Sequence, residues 1–85
     1  MKIIFHKKFI KQQSRLSKKI QNQLDKRIVV FMENPYEDIL NNHQLHPPFE
    51  NCRSINISGN IRALYEQNGD TVLFVCIGTH SELYG

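Results

Sequence analysis

The C-terminal part of the sequence restricts the fold most, because it predicts three strands in close succession. Ile55 and Ile57 alternate with polar residues, which is the two-residue period of a half-buried strand. A Ser58-Gly59 turn signal and an Asn68-Gly69 hairpin signal then separate two further strand-like segments, NIRALYE and TVLFVCIG. Turns this short join antiparallel neighbours, so we expect a meander. The last segment is apolar on both faces and should lie centrally in the sheet.

The N-terminal part of the chain predicts a short strand and two helices. Residues 2–5 are β-prone, and helical spacing follows. Ile20, Leu24 and Ile28 begin one apolar stripe of the second helix, which should end before Pro35. The order β-α-α-β-β-β predicts an α+β fold, with two N-terminal helices packed on one face of a small antiparallel sheet and a short C-terminal tail or turn of helix. The other sheet face must then be solvated or bind something.

Length and composition predict a single globular domain over residues 1–85. The chain is 40% apolar and 22% charged, which is ordinary for a globular protein. No apolar run approaches the roughly 20 residues that span a bilayer, and Ile3–Phe5 is too short for a signal peptide. Cys52 and Cys76 lack the paired spacing of a zinc site and are typical of small buried residues. We therefore expect a cytoplasmic protein without metal, cofactor or membrane contact.

Positive charge is concentrated near the N-terminus. Nine of the eleven Lys and Arg residues lie in the first 27 positions, where Asp25 is the only acid. Lys18 and Lys19 lie on the polar side of the second predicted helix. A concentrated basic surface attracts polyanions such as nucleic acid and speeds their encounter. A solvated, lysine-rich helix face gives the same pattern, so charge alone favours neither interpretation.

Several polar residues in the C-terminal half suit phosphate and proton chemistry. His80 follows the last strand, where an imidazole can give or take a proton near neutral pH, unless it belongs to a disordered tail. Arg62 lies between apolar residues of a strand and needs a partner, either an acid such as Glu66 or a phosphate. His46 precedes two prolines that hold its backbone extended, although loop histidines are usually solvated.

Three stretches of the sequence resemble the RelE/ParE superfamily of bacterial toxins, and specifically the YafQ-like mRNA endonucleases. They are LHPPF after the second helix, SGNIRALYE on the middle strand and IGTHSELYG at the end. The ending is the most specific, since it combines a strand, the letters GTH, a short spacer and an aromatic residue. The resemblance covers nearly the whole chain. It implies the toxin of a type II toxin–antitoxin system, a ribosome-dependent endoribonuclease that cleaves translated mRNA by metal-free general acid–base catalysis with attack by the 2′-hydroxyl.

The resemblance also implies roles for individual residues. His80 matches the proton donor to the leaving 5′-oxygen, and Tyr84 matches an aromatic ring that stacks on the mRNA base at the cut. His46 corresponds to a histidine that lines the site. Arg62 stands where many RelE-type toxins have an arginine that contacts the scissile phosphate.

The sequence departs from its relatives at three strand positions. Ser54 and Asn56 stand where close YafQ-like relatives have an acid and a histidine, and Asn60 replaces a further acid. Asn56 shares a strand face with Ser54, and this pair either hydrogen-bonds a nucleotide or forms the wet side of the sheet. These departures leave the general base in doubt, and His46 takes that role by elimination.

The resemblance implies a cognate antitoxin protein and the 70S ribosome with its mRNA as partners. Lys18 and Lys19 would meet ribosomal RNA. An acidic, initially disordered antitoxin segment would fold on the free sheet face and the basic helical surface, forming a toxin–antitoxin hetero-oligomer. Two alternatives stay open: a ParE-like toxin that poisons DNA gyrase without nuclease activity, and a catalytically weakened toxin that retains only antitoxin binding.

Overall fold

A computed structural model describes residues 1–84 and arranges five strands in a single mixed sheet. Along the chain the elements are β1 (Lys2–Phe5), α1 (Lys7–Ser14), α2 (Lys18–Glu33), a 3₁₀ turn (Asp38–Leu40), β2 (His43–Gln44), β3 (Arg53–Ser58), β4 (Ile61–Asn68), β5 (Thr71–Thr79) and α3 (His80–Tyr84). Within the described residues, no helix has the length and apolar character needed to cross a membrane.

The sheet confirms the predicted meander and extends it at both edges. Its strand order is β1-β5-β4-β3-β2, with antiparallel pairing from β2 to β5. β5 has neighbours on both sides, as its two apolar faces predicted, although β4 is the middle strand. β1 pairs with β5 in parallel, Lys2 opposite Thr71 through Phe5 opposite Phe74. The prediction of a purely antiparallel sheet was therefore wrong at this edge, because the period of a strand carries no information about the direction of a distant partner.

The two long helices cover one face of the sheet and form the core with it. The predicted apolar stripe of α2 is confirmed as far as Phe31, and Leu24 and Phe31 are enclosed, whereas Met32, which was predicted to continue the stripe, is exposed. The helix begins at Ser17, whose hydroxyl accepts a hydrogen bond from the Ile20 N–H at 3.2 Å. Phe74 of β5 lies at the centre of an aromatic cluster, with its ring centroid 5.5 Å from that of Phe31. Such pairs add about 0.5–1.5 kcal/mol each beyond the area that they bury.

Alternation along β3 and β4 separates the core from the opposite face. Ile55, Ala63 and Tyr65 face the helices and are wholly buried. Arg62 and Ser54 point the other way, since successive residues of a strand face opposite sides. Polar side chains therefore line the face that the two long helices leave uncovered.

The connection between α2 and β3 is held by one amide side chain. Asn42 donates from Nδ2 to the Pro35 carbonyl at 2.8 Å and to the Tyr65 hydroxyl at 2.7 Å. Its Oδ1 accepts from Arg53 Nε at 2.7 Å, and the Arg53 guanidinium lies 5.4 Å from the centroid of the Tyr36 ring. With its hydrogen bonds made to three different segments, Asn42 fixes the chain that enters β2. The sequence predicted this region only as a connection with a helical turn.

Candidate functional site

An open pocket of about 560 Å³ lies on the sheet face that α1 and α2 leave uncovered. Its walls come from the loop between α2 and β3, from β3 and β4, and from α3. The lining residues are Asn41, His43, Gln44, Leu45, His46, Pro47, Pro48, Phe49, Ser54, Arg62, His80 and Tyr84. Residues far apart in the chain therefore meet in one concavity.

The pocket brings together four of the residues singled out in the sequence. Arg62 comes from the middle of the sheet, and His80 and Tyr84 come from the terminal helix. His46 comes from the loop on the opposite wall. An imidazole at the end of the chain and a guanidinium from a central strand thus face the same space.

The other predicted binding residues lie outside this pocket. Lys18 and Lys19 are exposed at the start of α2, in the helical layer on the far side of the sheet. Asn56 is the direct cross-strand partner of Arg62 but does not line the pocket. Within residues 1–84, no cluster of three or more His, Cys, Asp or Glu side chains is arranged to hold a metal ion.

His80 is positioned by a reciprocal helix cap. The Thr79 N–H donates to Glu82 Oε1 at 2.7 Å, and the Glu82 N–H donates to Thr79 Oγ1 at 3.1 Å. These bonds lower the pKa of the Glu82 carboxyl, with the backbone N–H of Thr79 as the main cause. The arrangement is a capping box, and the spacing T-x-x-E is visible in the sequence THSE. The cap begins α3 at His80, so this histidine belongs to a short helix rather than to a disordered tail.

Tyr84 forms the aromatic wall of the pocket. Its ring centroid lies 4.7 Å from that of His80 and 5.5 Å from that of Phe49, the latter in an edge-to-face arrangement. Burial raises the pKa of the Tyr84 phenol, and the nearby Ser54 hydroxyl opposes this shift. Tyr84 therefore stays neutral and offers a ring face and an O–H donor. Phe49 was not singled out in the sequence, although it follows the two prolines directly.

Arg62 is held by backbone carbonyls and not by an acid. Its Nη1 donates to the Gly59 carbonyl at 2.7 Å and to the Ile61 carbonyl at 3.2 Å. Gly59 has a φ of +50°, a conformation that glycine adopts readily, and so the turn can present its carbonyl inward. The ion pair with Glu66, one of the two sequence alternatives, does not form. The positive charge of Arg62 is left uncompensated within the described chain and faces the pocket.

Ser54 is a buried hydroxyl without a partner. Only 1% of the residue is exposed, and its Oγ makes no hydrogen bond with the described residues. The Tyr84 hydroxyl lies close enough for Ser54 to affect its pKa, but the two hydroxyl groups do not form a hydrogen bond. Leaving a buried polar group unsatisfied costs about 1–3 kcal/mol. Because Ser54 also lines the pocket, its free hydroxyl is a candidate ligand contact.

His43 also lines the pocket, although it was not singled out in the sequence. It lies in β2 directly opposite Ser54. Its Nδ1 is 2.8 Å from the carbonyl oxygen of Asn41, which has a left-handed φ of +45°. Strand pairing and this local bond depend on the tertiary setting, which explains why sequence spacing did not reveal them.

Comparison with solved structures identifies the class of fold. The chain is similar to the crystal structure of YafQ from E. coli strain BL21(DE3), with a TM-score of 0.81, 20% identity and coverage of 98% of this chain and 97% of that one. It is similar to a YoeB/ParE toxin from Agrobacterium tumefaciens, with a TM-score of 0.77, 14% identity and coverage of 94% and 99%. The RelE chain of a RelB–RelE antitoxin–toxin complex from Methanococcus jannaschii matches with a TM-score of 0.71, 22% identity and coverage of 95% and 94%.

The fold is thus the one shared by RelE, ParE and YafQ toxins, as the sequence resemblance implied. A family model described as the bacterial toxin of type II toxin–antitoxin systems, YafQ, matches residues 1–85. The comparison with curated protein sequences gives no match. The chain belongs to the YafQ family of type II toxins.

Proposed function

We propose that this toxin is a ribosome-dependent endoribonuclease that cleaves translated mRNA in the bacterial cytoplasm. The observation that supports the proposal most strongly is the meeting of His80 and Arg62, from separate elements, in one open pocket. A proton donor and an uncompensated guanidinium are what a metal-free attack on a phosphodiester requires.

In the proposed reaction the ribose 2′-hydroxyl loses its proton to a base and attacks the adjacent phosphorus. Arg62 binds the non-bridging oxygens, where negative charge increases in the phosphorane, because a guanidinium fork matches that geometry. His80, in its protonated form, donates to the leaving 5′-oxygen as the P–O5′ bond breaks. The products are a 2′,3′-cyclic phosphate and a 5′-hydroxyl end. The general base is an imidazole of the loop between α2 and β3, and the sequence indicates His46 for this role.

Tyr84 and Phe49 supply the surface that holds the substrate base. Their edge-to-face contact stiffens the Tyr84 ring, and the packing of His80 on the same ring keeps the proton donor beside it. Stacking of a splayed base on an aromatic ring contributes about 1–3 kcal/mol and is a common device in RNA recognition. The same stacking contact would fix the position of the scissile phosphate relative to His80 and Arg62.

The two faces of the molecule suit two kinds of partner. Lys18 and Lys19 lie on the helical side, where they would contact ribosomal RNA while the pocket faces the message. Since the RelE structure that resembles this chain is a complex with its antitoxin RelB, we propose a cognate antitoxin for this toxin as well. A segment of that antitoxin laid over the pocket would silence the enzyme by blocking Arg62 and His80.

The proposal is tested by expressing the toxin in a translating extract and mapping mRNA 5′ ends. We expect cuts confined to ribosome-bound message, and their loss when translation initiation is blocked. An intact message together with stalled DNA supercoiling would instead indicate a ParE-like gyrase poison. An intact message without any effect on gyrase, in a protein that still binds its antitoxin, would indicate a toxin that has lost its catalytic activity.

A further inference from the structure

One side chain of α1 takes the place of a strand at the edge of β5. β1 runs beside β5 as far as Phe5, which lies opposite Phe74. The last bond of this ladder runs from the His6 N–H to the Phe74 carbonyl at 2.9 Å. Beyond that point the Gln12 Oε1 accepts a hydrogen bond from the Ile77 N–H, also at 2.9 Å. A side chain 65 residues away in the sequence therefore continues the pairing that β1 begins.

A β-bulge explains why this amide needs a partner on that side. The register of β4 and β5 shifts between Leu64 and Tyr65, which leaves Val75 of β5 without a partner on β4. In a regular strand the backbone groups that face one neighbour recur at every second residue, and the extra residue of a bulge shifts that phase by one. The Phe74 carbonyl faces β1, and the Ile77 N–H, three residues later, therefore faces the same side. Without Gln12 this N–H would be unpaired in a residue of which only 2% is exposed.

The bond lies directly before the residues that carry the proposed proton donor. Gly78, the next residue of β5, is the cross-strand partner of Arg62. Thr79 then begins the cap that places His80 at the start of α3. The His80 N–H reaches the sheet through a long bond, 3.3 Å, to the Asn60 carbonyl. The position of the imidazole relative to the guanidinium therefore depends on how the last residues of β5 are held.

Close packing transmits the position of β5 to α3. A Cβ atom at Gly78 would lie 3.1 Å from Glu82 Oε1 and 3.6 Å from Leu83 Cδ2. The backbone of Gly78 and the side chains of α3 are therefore nearly in contact, with little space between them. A shift at the end of β5 would move the helix that carries His80, because no flexible segment separates the two elements.

We propose that Gln12 is a positioning residue for the proton donor His80, an inference that rests on the endoribonuclease function proposed above. Gln12 does not line the pocket and acts through the Ile77 amide. This bond fixes the end of β5 beside β4, so that the imidazole meets the leaving 5′-oxygen while Arg62 holds the phosphate. A displacement of about 1 Å at a reacting group can slow an enzyme about 100-fold, even when its cause lies far from the chemistry.

The test measures single-turnover cleavage of ribosome-bound synthetic mRNA carrying either an oxygen or a sulfur as the 5′-bridging atom at the cut. A thiol is more acidic than an alcohol, so sulfur leaves without protonation and the sulfur substrate does not need His80. Gln12→Met keeps the length and helix preference of the side chain but offers a weak sulfur acceptor. We expect this variant to cut the oxygen substrate at least about tenfold more slowly than wild type, and the sulfur substrate within about twofold of wild type.

Two variants of matched length serve as controls, and all are assayed well below their melting temperatures. Gln12→Glu keeps an oxygen acceptor for the Ile77 N–H and should cut the oxygen substrate within about threefold of wild type. Gln13→Met makes the same change at the next residue of α1. The Gln13 backbone carbonyl accepts from Gln21 Nε2 at 3.1 Å, but its side chain makes no hydrogen bond to residues 1–84. Gln13→Met should therefore cut both substrates at the wild-type rate.

Hydrogen exchange of the Ile77 amide gives a second readout, which does not depend on cleavage. Loss of its partner should expose this amide to local opening, so exchange should be faster in Gln12→Met than in wild type. Exchange in Gln12→Glu and Gln13→Met should match wild type. Equal exchange in wild type and Gln12→Met would mean that the bond does not hold the end of β5, and would overturn the inference.

The outcomes separate this inference from the proposed function. If the wild-type toxin does not cut ribosome-bound mRNA, the proposed function fails, and the role of Gln12 in catalysis falls with it. If wild type cuts and Gln12→Met loses the same factor on both substrates, the nuclease stands and Gln12 supports the fold without positioning His80. Cleavage of the oxygen substrate by Gln12→Met within about threefold of wild type, or failure of Gln12→Glu to restore it, would also overturn the inference.

Discussion

The two faces of the sheet differ in whether their side chains have packing, hydrogen-bond or ion-pair partners. The helical face is closed by aromatic and aliphatic packing around Phe74 and Phe31. Among the described residues, the Ser54 hydroxyl on the pocket face is unpaired and the Arg62 charge has no acidic partner. Packed apolar groups stabilise the fold, whereas unsatisfied polar groups cost stability unless a ligand meets them. The helical face therefore stabilises the fold, and the pocket face is the one for which we propose binding.

The largest effect should come from the helical face. We expect Phe31→Ala to lower the free energy of unfolding by about 3–5 kcal/mol, since it empties the space between α2 and the aromatic cluster. Urea unfolding followed by circular dichroism measures this loss, with Phe31→Leu as a milder control. A loss below 1 kcal/mol would contradict the view that this face carries the stability of the molecule.

Next in size is the loss of His80, the proposed proton donor on the pocket face. We expect His80→Ala to reduce cleavage of ribosome-bound mRNA at least about 100-fold, because the 5′-oxygen would leave unprotonated. The side chain is exposed, so the melting temperature should not change. Unchanged cleavage would remove His80 from the mechanism, and a large fall in melting temperature would assign it to the structure instead.

Ser54→Ala should have an effect of intermediate size, in which activity falls while stability stays the same or rises. One lost hydrogen bond to the substrate corresponds to about a tenfold slower reaction, since its net value is about 1 kcal/mol. The melting temperature should stay the same or rise, because the unpaired hydroxyl is removed from a buried position. If the melting temperature falls while cleavage is unchanged, Ser54 belongs to the structural part of the sheet.

The smallest effect should be a pH dependence at the start of α3. The folded pKa of Glu82 is depressed by its bonds with Thr79, so the charged carboxylate supports the cap above its ordinary pKa. This support is lost as the pH falls through the folded pKa. Acid titration followed by the NMR shift of the Thr79 amide measures the loss. Glu82→Gln keeps an acceptor and should abolish the pH dependence; persistence of the titration in that variant would mean that another group is responsible.

Local signals in the sequence predicted much of the fold. The Asn68-Gly69 hairpin signal and the alternation of β3 predicted the meander, and the period of apolar residues predicted α2. The T-x-x-E spacing of the capping box at Thr79 is equally visible in the sequence, and this cap begins the terminal helix. Arg62 and His80 were named from their positions relative to strands. That they line one pocket follows from the meander, which brings the start of β4 beside the end of β5.

The sequence by itself determined the elements whose cause lies within a few residues: turns, caps and the period of buried side chains. Tertiary structure alone decided the parallel pairing of β1, the strand β2, and the orientation of His43 opposite Ser54. These features depend on contacts between segments far apart in the chain, such as the Asn42 bond to Tyr65. Local backbone preferences do not specify such partners, because distant segments come into contact only when the sheet and the helices pack together.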